Sequence, residues 1–166
     1  MNPCPCGFYG DAEKECRCTA YEVIKYQKKI SGPLLDRIDL QVKVPRVKIG
    51  ELRSGESGTL TSDIAKKQIE TARLVQIKRF STKGKRAGGK KIMTNAEMSS
   101  QDTEKFVSPD DDANQFLNTL DRARLSPRGY YRLLKTARTI ADLGGEECVK
   151  AEHLAEAFSY RLKEEV

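Results

Sequence analysis

This chain of 166 residues has no tryptophan and an aromatic content of only 7%. Its core must therefore be built from aliphatic side chains with a few Tyr and Phe. No apolar run approaches the roughly 20 residues needed to cross a bilayer, and no signal peptide opens the chain. Five cysteines without secretory features point to a reducing cytoplasm rather than a disulfide framework. Neither sign of charge is scarce. Lys and Arg number 30 against 24 Asp and Glu, a net charge of +6. This excess mildly favours anionic partners, nucleic acid or nucleotide. The length suits one domain, or one domain plus a fragment.

Four of the cysteines lie close together. Cys4, Cys6, Cys16 and Cys18 form two Cys-x-Cys pairs with nine residues between them, in an irregular stretch rich in Pro and Gly. Four thiolates so placed can close on one Zn²⁺ tetrahedrally. In small finger peptides such binding is worth about 10–16 kcal/mol. Four reduced, partly exposed cysteines are the plainer alternative. Cys148 reads as ordinary packing.

After this loop, Thr19 and Glu22 read as a capping box opening a helix that carries Tyr21, Ile24 and Lys28. The run Ser31-Gly32-Pro33-Leu34-Leu35-Asp36-Arg37-Ile38-Asp39-Leu40 follows. The alternation beyond it predicts a strand over 39–45, stopped at Pro45. Arg37 stands between two aspartates. It either bridges Asp36 or Asp39 across a turn, or presents a planar, permanently charged group to phosphate oxygens. Residues 47–60 read as a linker.

The remainder, 61–166, reads as a bundle of four or five helices. The first runs from about Ser62 to Phe80, with Ile64, Ile69, Ala72 and Val75 on one side. Thr94 with Glu97 suggests a capping box. Ser108-Pro109 followed by three aspartates predicts a helix start, with Ala113, Phe116, Leu117 and Leu120 facing inward. Ser126-Pro127 repeats the device for a helix with Tyr130, Leu133, Leu134, Ala137 and Ala141 on one face, ending at Gly144-Gly145. A last helix carries Leu154, Phe158 and Leu162.

Gly84 to Lys91 matches GxxxxGK but is a decoy. Lys91 stands where the Mg²⁺-binding Ser or Thr belongs, and no apolar strand precedes it. The same stretch belongs to a run of seven basic residues from Lys78 to Lys91 without one acid. Lys83, Lys85, Arg86, Lys90 and Lys91 there are candidate DNA-phosphate contacts, a solvated loop being the alternative.

Three blocks resemble the C-terminal part of the magnesium-chelatase-like AAA+ ATPases, the YifB/ComM group. They are Met1 to Asp11 with Cys16-Arg17-Cys18, the Ser31–Leu40 run, and Leu125 to Leu143 with Glu152 to Ala157 behind it. The resemblance implies a mainly α chain. A short α/β remnant of an AAA+ core with a Cys-rich loop (1–46) would be followed by a hinge-like linker (47–60) and a helical lid domain (61–166). It implies that Asn2 is the sensor-1 residue and Arg37 an arginine finger acting in trans. Arg128 would be sensor 2, touching ATP in the first turn of its helix. The parent would be a ring, a hexamer, using ATP and Mg²⁺ to remodel DNA or migrate branches. Insertion of Mg²⁺ into a porphyrin, or a stand-alone zinc-stabilised binding module, are the alternatives. The family's Walker A and B segments precede Asn2, so the 166 residues read as a piece of a longer ATPase, inactive alone.

Overall fold

The computed structural model describes residues 1–11, 13–44, 47, 50, 53, 60–83, 92–120 and 125–161. Seven α-helices occur among them and no β-strand. They are α1 (Ala20–Gln27), α2 (Gly32–Leu35), α3 (Ser62–Lys83), α4 (Ser100–Phe106), α5 (Asp111–Thr119), α6 (Pro127–Gly144) and α7 (Ala151–Ser159), with a 3-10 turn at Asn95–Glu97 before α4. The mainly helical class is thus as expected. The strand expected over 39–45 is absent from the described residues. Asp39–Val44 carries no strand, and Leu40, Val42 and Val44 are exposed. Alternating residues become a strand only with a partner strand to pair with, and the described residues supply none.

Two units emerge. The first contains Met1–Ile38 and Val42–Gly55; the second contains Asp39–Gln41 and Glu56–Leu162. In the first, α1 begins at a complete capping box. The Glu22 backbone N–H donates to Thr19 Oγ1 at 3.3 Å, and Thr19 N–H donates to the Glu22 carboxylate at 2.8 Å. Val23 is the buried residue of the helix, while Tyr21 and Ile24 are exposed.

The second unit is built around α6, which packs against α3, α4, α7 and the 3-10 turn, while α5 packs on α7. Ser126 caps α6, its Oγ accepting from Gly129 N–H at 3.0 Å, with Pro127 in the first turn as the cap-plus-proline pattern predicts. The helix ends at Gly145, whose φ of +74° closes it in the left-handed region that favours glycine. Its inner face is Gly129, Leu133, Leu134, Ala137 and Ala141; the expected Tyr130 is exposed. Leu133, Ala137, Ala141, Leu154 and Ala157 have no exposed surface, so small alanines let α6 and α7 approach closely.

Three details differ from the sequence expectations. On α3, Ile64, Ile69 and Val75 face out, and the buried set is Ala72, Gln76 and Phe80, at steps of four residues. The helix start expected at Ser108–Asp112 lies within that run, with Asp111 and Asp112 in the first turn, but Ser108 is not its cap, because this backbone is committed elsewhere. Val149 N–H donates to Ser108 O at 2.9 Å and Asp110 N–H to Val149 O at 3.0 Å, forming an isolated parallel bridge. Asp110 then caps α5, accepting from Ala113 N–H at 2.8 Å. At Thr94 the capping box does not form, because Glu97 accepts from Met93 N–H at 2.8 Å.

Among the described residues, no helix is long and apolar enough to cross a membrane.

Candidate functional site

The first unit brings all four clustered cysteines together. Every pair of their sulfurs lies within 4.8 Å. Cys4 and Cys6 are 3.3 Å apart, Cys6 and Cys16 3.6 Å, and Cys4 and Cys16 3.7 Å. A cation held at the usual Zn–S length of about 2.3 Å sets a tetrahedral S···S edge of about 3.8 Å, so these separations approach that geometry. The chain reaches it through short-range turns. Gly7 N–H donates to Cys4 O at 3.1 Å, and Gly7 turns with φ of +83°, where a side chain would be strained. Asp11 then accepts from the Glu13 and Lys14 backbone N–H groups at 2.8 and 3.1 Å, bending the loop back toward Cys16. Cys4 is fully buried and the other three are half-buried.

The protonation pattern of the cluster is uneven. The Phe8 backbone N–H, followed by that of Arg17, holds the Cys6 thiol down to about 6. For Cys18, donation from the Cys6 backbone N–H favours the thiolate. Burial and the other three sulfurs outweigh it and push the thiol up to about 12. Cys16 has the same balance, the Cys18 N–H opposed by burial and by Cys6 and Cys4, and it too is raised. One thiolate forms easily and then makes the next costly, as expected of sulfurs crowded together without a counter-charge. A divalent cation bound there would supply that charge and release protons.

The remaining predicted residues are distributed between the units. Asn2 is exposed in the Cys loop, its amide nitrogen 3.7 Å from where a Gly7 Cβ would stand. Arg37 is exposed just after α2, its Nη1 donating to Pro33 O at 2.7 Å. Arg128 is exposed in the first turn of α6, in the second unit. There the helix N-terminus and the exposed guanidinium offer the same polarity to an anion. Lys83 is the last residue of α3, while Lys85, Arg86, Lys90 and Lys91 lie outside the described residues, as does most of the expected linker. Cys148, expected to pack, is exposed.

Sequence reasoning missed two features. The first is a partner for Asp39. One turn beyond Arg128, Arg132 Nη1 lies 2.6 Å from Asp39 Oδ1. Gln41 N–H also donates to Tyr160 O at 2.8 Å, so residues 39–41, which belong to the second unit, are held within it at two points. The second is a buried polar network on Asp142. Arg79 pairs with its carboxylate, Arg138 Nη2 lies 2.9 Å away, and Asn95 and Gln76 donate to it at 2.8 and 3.3 Å. Arg138 is also capped by the carbonyls of Glu146 and Glu147. Burial alone would raise the Asp142 carboxyl, but donation from Arg79 and Asn95 and the charges of Arg138 and Arg79 hold it below the ordinary range. The only sequence signal was the i, i+4 spacing of Arg138 and Asp142; Arg79 is remote in the chain.

Comparison with known proteins adds a family. The family model "Magnesium chelatase, subunit ChlI C-terminal" matches residues 59–161, and "Magnesium chelatase, subunit ChlI" matches residues 1–52. "Competence protein ComM" of Haemophilus influenzae is 36% identical over 163 residues, covering 97% of this chain and 29% of that protein. "Uncharacterized protein YifB" of Salmonella typhimurium is 36% identical over 162 residues, 97% of this chain and 29% of the relative. Its Escherichia coli namesake is 35% identical with the same coverage. The chain therefore spans less than a third of the length of these relatives.

Proposed function

Because this chain belongs to the magnesium chelatase ChlI family, we propose that it serves as the arginine-finger and lid portion of a ring-forming AAA+ ATPase that works on DNA. The observation that carries this reading is the arrangement on α6. Arg128 stands exposed at the helix start, and Arg132, one turn later, holds Asp39, which lies two residues beyond Arg37. In this reading α6 presents the phosphate-sensing Arg128 and, one turn on, holds Asp39 of the same unit.

In this reading residues 1–46 form the end of the ATPase core, 47–60 a hinge, and 61–166 the lid. Arg128 contacts the γ-phosphate of its own subunit's ATP. Arg37 reaches the ATP of the neighbouring subunit in the ring and, with its fixed positive charge, stabilises charge developing on the transferred phosphoryl group. Asn2 orients the attacking water. ATP with Mg²⁺ supplies the phosphoryl chemistry, held mainly by the family's Walker segments rather than by these residues. The four thiols suit the reducing cytoplasm, where they hold Zn²⁺. Lys83, Lys85, Arg86, Lys90 and Lys91 contact DNA phosphates.

The family description names a chelatase, which supports a second reading, Mg²⁺ insertion into a porphyrin. The relatives that match across nearly the whole chain include one named as a competence protein, and on that ground DNA work is preferred. ATP turnover by the intact ring tests the proposal. Arg37→Ala is expected to lower the rate by about 10³–10⁵, the usual worth of an arginine finger. Retention of turnover within tenfold of wild type would refute the finger role.

A further inference from the structure

Among its described residues the first unit has almost no apolar core. The buried apolar side chains among them are Cys4 and Val23, whereas Tyr21 is 70% exposed, Leu34 50%, and Ile24 and Ile38 38% each. Its helices are also short, eight residues in α1 and four in α2. Isolated helices below about 12–15 residues are marginal in water. Neither apolar burial nor helical propensity accounts for the order of this segment.

The sulfur cluster does. Cys4, one of the two buried apolar residues, is itself a member of it. Both ends of α1 attach to residues next to cluster cysteines. Thr19, directly after Cys18, caps the N-terminus through its box with Glu22. At the other end Gln27 Nε2 donates to the carbonyl of Pro3, directly before Cys4, at 3.1 Å. From α1 the chain passes through a turn closed by Lys29 N–H to Tyr26 O at 3.2 Å and Ile30 N–H to Gln27 O at 3.2 Å, then into α2 and Arg37.

We infer that a thiophilic divalent cation, Zn²⁺, bound by Cys4, Cys6, Cys16 and Cys18 is the folding core of the first unit, and that it orders α1 and α2 and so fixes the place of Arg37. Metal binding to such a loop is coupled to its folding. The second unit, with its own apolar core around α6, stands independently of the metal. The consequence for Arg37 rests on its reading as the finger; the metal-ordered unit does not.

The experiment uses the 166-residue chain carrying Cys148→Ser, which removes the one exposed thiol outside the cluster. Under anaerobic, reducing conditions it is titrated with Co²⁺ alone and then with Zn²⁺. One Co²⁺ per chain with an intense sulfur-to-metal charge-transfer band, displaced by Zn²⁺, is expected. Hydrogen exchange is then followed with Zn²⁺ bound, after chelation, and after reloading. Chelation is expected to speed exchange at Val23, Lys28 and Asp36 by roughly tenfold or more, with reversal on reloading and no change at Leu133, Leu134 and Ala137. Four-sulfur binding with unchanged exchange in α1 and α2 overturns the organising role and leaves the metal site standing. Absence of metal binding overturns both. Neither result touches the ATPase reading, which is carried by Arg128 and Arg132 in the other unit.

Discussion

Asp142 shows most clearly what a single side chain contributes. It is 2% exposed and surrounded by Arg79, Arg138, Asn95 and Gln76, so removing its charge leaves guanidinium groups buried without a counter-ion. Breaking a buried pair in this way typically costs about 3–5 kcal/mol. Denaturant unfolding of the second unit is expected to show a loss of this size for Asp142→Ala. A loss below about 1 kcal/mol, the scale of exposed pairs, would mean the network is ornamental. The pH dependence has a definite sign. The carboxyl is lowered in the folded state, so its contribution is present above the unfolded value of about 3.9 and is lost as pH falls through the folded value. Acid titration below about pH 4 should therefore destabilise wild type more than Asp142→Asn. At the same scale, the cluster cysteines were legible because four thiols within fifteen residues stand out in any sequence, whereas the ion pair of Arg132 with Asp39 joins residues 93 apart in the chain and carries no local signature.

The elements were legible where local chemistry decides them. Thr19 with Glu22 and Ser126-Pro127 opened their helices as predicted, because a cap satisfies backbone N–H groups within one turn of itself. On α6, Ser126→Ala should cost about 1 kcal/mol in the stability of the second unit; no measurable loss in a thermal melt would contradict the cap. The failures share one cause. Ser108-Pro109 has the composition of a cap and first turn, but its backbone pairs with Val149, far along the chain, and the helix begins two residues later than that pattern places it, at Asp111. The alternation over 39–45 has the composition of a strand, but no strand partner stands among the described residues. On α3 the buried face is set by Gln76 and Arg79 reaching Asp142, so polar residues face inward while Ile64 and Ile69 face out. Apolar spacing alone cannot show such a face.

For the whole molecule, one chain of this family carries a sulfur cluster in its first unit and an aliphatic helical core in its second. The basic stretch adds a test of the DNA reading. Single-stranded DNA binding measured against salt should lose about 0.7 in slope for each phosphate contact removed. A variant with Lys83, Lys85 and Arg86 changed to Ala should therefore flatten the plot, and an unchanged slope would remove these residues from the interface. The central claim, that Arg37 acts across subunits while Arg128 acts within one, is tested most directly by mixing subunits of the intact ring. Each variant is mixed with a subunit whose own phosphate-binding lysine has been removed, and ATP hydrolysis is measured. Arg37→Ala subunits should regain activity, because their intact nucleotide sites receive a finger from the neighbour. Arg128→Ala subunits should stay inactive, because every site in the mixture then lacks one component. Rescue of Arg128→Ala, or failure to rescue Arg37→Ala in rings shown to be mixed, would contradict the account.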